Sequence, residues 1–357
     1  MPAVIRESGA PLPSLPLRLG PRGPFPRTPM LRVLERRWLH YAFLSRDNEL
    51  GLVANVAWLG PDPEKPDAHT RNTSILLLYK RGAGWWASQF NAATLAPLWS
   101  AFRLPHPLGE AGNFEVASTA GAPAVRLTLQ RSSYPCTSQC APFAGDQHFR
   151  WQSEAGILAQ GAWHLGNGET VRDVAAVGYH ERVRGNWGWP EMGGWLFGFA
   201  NDPTVTAPGA PPPWALVFTL IQPPEPPDAA SASVMLWRDG RVRRHFPRRN
   251  INVAVRGLLD RNLVQQVPDL ANLFGVPPMA PIPRRLGITA QLGRDWVLLD
   301  FTAEAAARIV IPNETGIDPF SVHEVIGPCQ IEGELNGVPF SFATAGIVEF
   351  AGGAGGL

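Results

Sequence analysis

The hydrophobic pattern from Leu31 onward consists of short apolar or alternating runs that end in turn residues. Residues 74–79 run into Lys-Arg-Gly-Ala-Gly, and residues 231–237 run into Arg-Asp-Gly. Runs of this length, closed by turn residues at regular spacing, predict strands. The Asp239-Gly240 pair predicts a two-residue hairpin turn, because both central positions of that turn need positive φ. The chain is therefore predicted to be all-β.

An internal repeat divides this pattern into two halves. Each copy has a strand, an Asn-Gly turn and, about ten residues later, a strand that ends in Gly-x-x-Glu. The copies span residues 157–181 and 331–349, and they end in Gly-Tyr-His-Glu and Gly-Ile-Val-Glu. The opening strands also correspond, with Trp-Leu-His-Tyr-Ala-Phe from Trp38 and Trp-Leu-Phe-Gly-Phe-Ala from Trp195.

The repeat predicts two tandem units with a boundary near Pro190. We expect a flexible, proline-rich tail at residues 1–30, a first unit at 31–190 and a second unit at 191–357. Sequential hairpins in units of about 160 residues fit up-and-down antiparallel barrels, which close their sheet edges and can hold one small apolar ligand. Two packed sandwiches remain the structural alternative.

The composition narrows the partners of the chain. The 357 residues carry 31 basic and 30 acidic side chains, a net charge of +1, so no global field favours nucleic acid. The longest clean apolar run, residues 214–221, is far shorter than the roughly 20 residues of a membrane-spanning helix. The proline-rich N-terminus lacks the apolar run of a secretory signal. Three cysteines are too few for a disulfide framework, so we expect a cytoplasmic protein.

Several common catalytic motifs are absent from the sequence. There is no Gly-x-Ser-x-Gly elbow, no phosphate-binding Gly-x-x-x-x-Gly-Lys loop and no Gly-x-Gly-x-x-Gly turn. These absences disfavour a serine hydrolase, a nucleotide-dependent enzyme and a dinucleotide-dependent oxidoreductase. The sequence also lacks His-Glu-x-x-His and a second cysteine pair to match Cys136 and Cys140, so we expect neither a metal site nor a cofactor.

The pair His180 and Glu181 is the first candidate for chemistry. Neighbouring residues of a strand point to opposite faces, so only one of the two can face a given interior, and Tyr179 shares the face of Glu181. A carboxyl that points into an apolar interior has a raised pKa and can act as a general acid near neutral pH. If His180 is the inward residue, it takes that role and Glu181 is a surface charge. The alternative is a structural Glu181 that accepts hydrogen bonds, as Glu349 would in the second copy.

Tryptophans surround this pair in the sequence. Trp187, Trp189 and Trp195 could line a cavity and stabilise a cationic substrate through their ring faces. They could equally be core residues at the junction of the two units. Two further groups could reach the same site, His40 beside Trp38 and the second His-Glu pair at residues 323–324.

The motifs named above resemble those of the lipocalin-like carotenoid 1,2-hydratase and AttH group, with tocopherol cyclases and fungal decalin-forming Diels-Alderases as more distant members. In the hydratases the central segment reads approximately Gly-Tyr-His-Asp-His-Asn-Trp-Gly. Here Gly178, Tyr179, His180 and the Asn186-Trp187-Gly188 run match, and Glu181 replaces the aspartate. Residues 182–185 replace the second histidine with a longer segment, which reshapes this part of the site.

The resemblance implies two lipocalin-like barrels and a cofactor-free enzyme, or a binder, for a long apolar molecule such as a polyene or an isoprenoid. We expect a hydratase or cyclase that protonates an alkene. The alternatives are a pericyclase of the Diels-Alder type that folds a linear polyene, and a carrier of a lipid or pigment. A transient membrane contact stays open. The expected catalytic residues are Glu181, His180 and Tyr179, and the expected substrate-binding residues are Trp187, Trp189, Trp195, Asn186, Trp38 and His40.

Overall fold

The computed structural model confirms an all-β chain. It describes residues 35–60, 71–92, 104, 107–116, 121–142, 148–187, 193–222, 231–267, 282–311 and 320–352. The described residues form two sheets, and their only helical elements are single 3-10 turns at Arg248–Asn250 and Arg261–Leu263. The tail expected at residues 1–30 and the boundary expected near Pro190 lie outside the described residues. No helix in the described part is long and apolar enough to cross a membrane.

The first sheet contains nine strands. They are β1 (Glu35–Ser45), β2 (Leu50–Leu59), β3 (Arg71–Lys80), β4 (Gly84–Ala92), β5 (Ala111–Val116), β6 (Ala124–Gln130), β7 (Cys136–Pro142), β8 (His148–His164) and β9 (Thr170–Asn186). Their order is β4-β3-β2-β1-β9-β8-β6-β5, with β7 also paired to β8. All of these pairs are antiparallel.

The second sheet contains eleven strands. They are β10 (Gly194–Asn201), β11 (Trp214–Gln222), β12 (Ser231–Arg238), β13 (Arg241–Pro247), β14 (Ile251–Leu258), β15 (Val264–Gln266), β16 (Pro283–Leu292), β17 (Asp295–Thr302), β18 (Ala305–Ile311), β19 (Phe320–Leu335) and β20 (Val338–Gly352). Their order is β13-β12-β11-β10-β20-β19-β17-β16-β14, and β18 pairs with β19 and with β15.

The two sheets repeat one topology. Strands β1 to β4 correspond to β10 to β13, and β9, β8, β6 and β5 correspond to β20, β19, β17 and β16, while β14 and β15 are additions of the second sheet. Each sheet curls as a half-barrel, so the prediction of two tandem antiparallel barrels of the lipocalin-like type is confirmed. The correspondence extends to single residues. Glu181 of β9 lies opposite His40, which is two residues from Trp38 on β1. In the same way, Glu349 of β20 lies opposite Phe197, which is two residues from Trp195 on β10.

Two of the predicted turns have positive φ at both central residues, whereas the Asn-Gly turn of the first copy has it only at Gly168, with a φ of 86°. Asp239 and Gly240 have φ values of 51° and 73°, and Asn336 and Gly337 have values of 52° and 78°. Each pair closes a two-residue hairpin, since Arg238 pairs with Arg241 and Leu335 pairs with Val338.

The apolar side chains form three buried clusters. One lies on a single face of the first sheet and contains Leu39, Tyr41 and Phe43. A second lies on one face of the second sheet. The third draws residues from both sheets, including Trp38 of β1 and Trp195 of β10. The two sheets therefore pack against each other through this third cluster, and strands at the contact are buried on both faces.

Candidate functional site between the two sheets

Glu181 lies on β9 and faces the cluster that joins the sheets. Its partner across β1 is His40, and Trp38 is two residues from His40 on the same face. The carboxyl is 3% exposed and accepts three hydrogen bonds, from Trp38 Nε1 at 2.8 Å, Trp151 Nε1 at 2.7 Å and the Tyr179 hydroxyl at 2.8 Å. These donors fix the carboxyl inside an aromatic environment.

The pKa of Glu181 is raised from its usual 4.5 to about 8. Burial is the largest cause, and the neighbouring charge of Glu349 adds to it. The hydrogen bonds from Trp38, Tyr179 and Trp151 act in the opposite direction and do not outweigh these effects. The carboxyl is therefore protonated at neutral pH, which is the state required of a general acid.

A chain of hydroxyl groups leads away from Glu181. The Tyr179 hydroxyl lies 2.7 Å from Ser153 Oγ, and either oxygen can be the donor. Ser153 Oγ in turn donates to Ser138 Oγ at 3.1 Å. Burial raises the pKa of Tyr179 well above 10, so its hydroxyl keeps its proton. The Tyr179 hydroxyl donates to Glu181 when the carboxyl is ionised; when the carboxyl is protonated, this hydrogen bond reverses and the hydroxyl donates to Ser153.

His180 faces the opposite side of β9, where its ring stacks on Tyr41 at 4.2 Å. Its Nδ1 lies 2.9 Å from the carbonyl oxygen of His40, and its Nε2 accepts from Arg182 Nε at 3.2 Å. Burial, followed by the charge of Arg182, lowers the pKa of His180 well below 6.5. A neutral imidazole with Nδ1 as the donor follows from these contacts.

The alternative in which His180 faces inward and Glu181 is a surface charge does not hold, because both side chains are buried. Their exposures are 2% and 3%, because the second sheet covers the face that would otherwise meet solvent. The structure thus separates the expected catalytic residues. Tyr179 and Glu181 lie together, whereas His180 lies across the strand from them.

The second copy places a matching glutamate in the same layer. Trp195 Nε1 donates to Glu349, as Trp38 does to Glu181. Glu324 pairs with Glu349 across β19 and β20, and the two carboxyls share a hydrogen bond. Burial raises the pKa of both, so at least one of the pair carries a proton. The structural alternative, in which Glu181 and Glu349 only accept hydrogen bonds, also requires an indole N–H donor to each of them.

The tryptophans of the site pack on one another. Trp38 lies edge-on to Trp187 at 5.6 Å between ring centroids, and it stacks with Trp195 at 6.3 Å. Trp151 lies 6.5 Å from Trp38, and Phe149 lies 5.3 Å from Trp187. These rings form a continuous aromatic layer between the sheets. A ligand can reach Glu181 only when some of them move apart.

Asn186, an expected binding residue, contacts the backbone of a neighbouring strand. Asn186 ends β9, and its Oδ1 accepts from the backbone N–H of His148 at 2.8 Å, which ties the ends of β8 and β9 together. Trp189 lies outside the described residues. The sequence reasoning missed Trp151, Ser153 and Ser138. The spacing of Phe149 and Trp151 on alternate positions of β8 is the signal that could have placed Trp151 on this face.

His40 lies in the same layer and is one of three residues that could bind a metal ion. It is 1% exposed, and burial lowers its pKa from 6.5 to about 3, so the imidazole is neutral. One ring nitrogen of His40 and one carboxylate oxygen each of Glu324 and Glu349 lie within 4.8 Å of one another. These three residues are the group among the described residues that could hold a metal ion.

A surface depression of about 510 Å³ lies away from this layer. Its lining includes Ile251 of β14, Ala290 of β16 and Asn250 of the adjacent 3-10 turn, and none of the site residues. A small internal space beside Val177, Asn201 and Ala345 holds about 10 Å³, too little for an organic ligand.

Comparison with known proteins supports the fold. No protein-family model matches the chain, and no curated protein matches it. Among solved structures, a protein described as AttH from Nitrosomonas europaea is 15% identical, with a TM-score of 0.57 over 94% of this chain and 99% of that one. Kievitone hydratase from Nectria haematococca is 10% identical, with a TM-score of 0.52 over 89% of each chain. CghA, solved with Sch210972, is 12% identical, with a TM-score of 0.53 over 91% of this chain and 90% of that one.

Proposed function

We propose that this protein is a hydratase or cyclase that protonates an alkene of an apolar polyene or isoprenoid, with Glu181 as the general acid. The observation that supports this most strongly is the buried Glu181 carboxyl, protonated at neutral pH among indole and phenol groups. Its chemistry requires no cofactor. The kievitone hydratase and AttH neighbours have the same fold, which is consistent with this activity.

The reaction begins when the Glu181 O–H transfers its proton to one alkene carbon and the π electrons form the new C–H bond. The adjacent carbon becomes cationic and faces the rings of Trp38 and Trp195, which stabilise a cation by about 0.5–2 kcal/mol each. The carboxylate left behind is held by the N–H groups of Trp38 and Trp151 and by the Tyr179 hydroxyl. These three hydrogen bonds therefore stabilise the negative charge that develops on Glu181 in the transition state.

Capture of the cation determines the product. Water attack followed by loss of one proton gives an alcohol, which is a hydratase outcome. Attack by a hydroxyl or a second alkene of the same molecule, with loss of one proton, gives a ring, which is a cyclase outcome. In both cases the lost proton can return to Glu181 through Tyr179 and Ser153, whose oxygens lie 2.7 Å apart. Packing of the two sheets around the layer limits access of bulk water.

Lycopene and geranylgeraniol, as an acyclic polyene and an acyclic isoprenoid, test this proposal in D2O. We expect the wild-type protein to introduce one deuterium at carbon per product molecule. Glu181→Gln keeps the shape of the side chain but loses the transferable proton, and we expect its rate to fall by a factor of about 10²–10⁴. The matched control is Glu332→Gln, an exposed carboxyl on β19, which we expect to keep the wild-type rate.

The alternatives predict other results. A pericyclase would retain its rate in Glu181→Gln and would introduce no deuterium, because it folds the substrate without an acid. A carrier would return its ligand chemically unchanged. Native mass spectrometry of protein from its own host, followed by solvent extraction, identifies the natural ligand.

We also propose a reducing, cytoplasmic location, which is supported by the free state of Cys136, Cys140 and Cys329.

A further inference from the structure

Three buried ligand-type side chains from both sheets converge beside the Glu181 site. His40 comes from β1 of the first sheet, and Glu324 and Glu349 come from the paired strands β19 and β20 of the second. Their exposures are 1%, 2% and 8%. One ring nitrogen and two carboxylate oxygens, one from each residue, lie within 4.8 Å of one another. Residues far apart in sequence thus form one compact donor set.

Two polar atoms of these three residues lack a hydrogen-bond partner. His40 Nε2 and Glu324 Oε2 are both buried, and no described residue satisfies either of them. Buried polar atoms are nearly always paired, so an unpaired nitrogen and an unpaired oxygen in one donor set point to a missing partner. An imidazole nitrogen without a hydrogen-bond partner is available to bind a metal ion.

The three carboxyls at this place have no cationic partner among the described residues. No arginine or lysine is among the groups that act on Glu181, Glu324 and Glu349. Buried carboxylates need protons, cationic partners or a metal ion. Protons can neutralise the carboxyls, but they leave His40 Nε2 unpaired. A divalent cation would satisfy both requirements at once.

We propose that His40, Glu324 and Glu349 bind a divalent ion of the zinc class, which joins the two sheets. One imidazole nitrogen and two carboxylate oxygens suit zinc or a neighbouring transition metal better than magnesium or calcium, which prefer oxygen ligands alone. Zinc bonds to these atoms are about 2.0–2.2 Å long, so the carboxylates move inward by roughly an ångström when the ion binds. The fourth position of a tetrahedral ion is left for water.

This inference does not rest on the proposed function. Binding is measured without a substrate, and the activity of Glu181 can be measured in the presence of a chelator. The two proposals therefore fail separately.

The experiment measures metal content in the purified full-length protein. The protein is refolded with zinc chloride and then passed through a desalting column with a weak chelator, and bound zinc is counted by inductively coupled plasma mass spectrometry. We expect one zinc per chain, and a cobalt-loaded sample should show visible absorption bands of a four-coordinate site. Zinc should also raise the melting temperature, because binding to the folded state alone stabilises it.

Three variants locate the site. His40→Phe introduces the residue that the second copy has at the equivalent position, Phe197, so it is a conservative test of the nitrogen ligand. Glu324→Gln removes one carboxylate and keeps its shape. We expect each to reduce bound zinc at least tenfold. The matched control is His323→Ala, a buried histidine with an unpaired Nε2 outside the donor set, which should keep the wild-type zinc content.

The proposal is wrong if the wild-type protein binds no zinc. It is also wrong if His40→Phe and Glu324→Gln keep the wild-type zinc stoichiometry. That second result would indicate that zinc binds exposed histidines such as His148 and His164. Equal competition by magnesium would also contradict it, because the imidazole would then play no part. If His40→Phe does not fold, Glu324→Gln and the cobalt spectrum decide the question, since cobalt bands unchanged by Glu324→Gln would exclude this site.

Discussion

At the scale of single residues, burial on both faces of β9 sets the protonation of two neighbours in opposite ways. The pKa of Glu181 is raised to about 8, and that of His180 is lowered below 6.5, in both cases mainly by burial. Each group is thus neutral near pH 7, although a free glutamate would be charged. The same physical effect produces an acid that can donate a proton and a histidine that cannot.

These two shifts predict how stability depends on pH. The folded pKa of Glu181 lies above its unfolded value of 4.5, so its contribution is fully present below pH 4.5 and is lost as pH rises towards about 8. The folded pKa of His180 lies below 6.5, so its contribution is present above pH 6.5 and is lost as pH falls. Urea unfolding with a chelator present should show stability decreasing on both sides of a mildly acidic maximum.

The variant Glu181→Gln separates the two limbs. It should reduce the slope of the alkaline limb between pH 4.5 and about 8 and leave the acid limb in place, and the slope that remains comes from Glu324 and Glu349, whose pKa values burial also raises. The effect is at most roughly 5 kcal/mol, because each unit of pKa shift corresponds to about 1.4 kcal/mol. An alkaline limb that is unchanged in this variant would mean that Glu181 is already ionised at neutral pH.

The sequence could predict which residues share a face, but not what covers that face. Alternation along the strand places Tyr179 with Glu181 and His180 opposite them. The burial of both faces depends on the second sheet, which includes residues more than a hundred positions away, such as Glu349. For the same reason the meeting of His40 with Glu324 could not be derived from local patterns.

At the scale of elements, the glycine in each Gly-x-x-Glu segment allows close approach of a neighbouring strand. A Cβ at Gly178 would lie 2.1 Å from the carbonyl oxygen of Ala42 and 2.3 Å from the ring of Phe43. The equivalent Gly346 would meet Cys329 Sγ at 2.5 Å and the carbonyl oxygen of Phe199 at 3.0 Å. The repeated glycine is therefore required by the pairing that brings each glutamate beside its tryptophan.

We predict that Gly178→Ala destabilises the protein by about 1–3 kcal/mol, because the backbone of β1 must move to admit the methyl group. The matched control is Gly287→Ala on β16, where the nearest atom to an added Cβ is 3.8 Å away and φ is not positive. Equilibrium unfolding in urea measures both. Equal stability of the two variants would contradict the close approach of β1 and β9.

Local sequence was most informative at the turns and in the repeat. The Asp-Gly and Asn-Gly pairs specify their hairpins because few other residues adopt positive φ without strain. The repeat identified β9 and β20 as equivalent strands. The register confirms this, because Glu181 lies beside Trp38 of β1 and Glu349 lies in the same way beside Trp195 of β10. The additions β14 and β15 have no counterpart in the first half, so the repeat could not predict them.

At the scale of the whole molecule, the important feature is the layer where the two sheets meet. Each sheet keeps its own apolar cluster on one face, and the acidic, aromatic and histidine groups gather on the shared face. We propose that the sheets correspond to two tandem units, as the repeat predicts.

The protonation of Glu181 at neutral pH is the central claim, and a carbon NMR titration tests it most directly. Protein labelled with ¹³C at the glutamate carboxyls is titrated from pH 5 to pH 10 with a chelator present, and the signal missing from Glu181→Gln is assigned to Glu181. We predict that this signal titrates near pH 8. A signal that has completed its titration below about pH 5, the ordinary range for glutamate, would contradict the account.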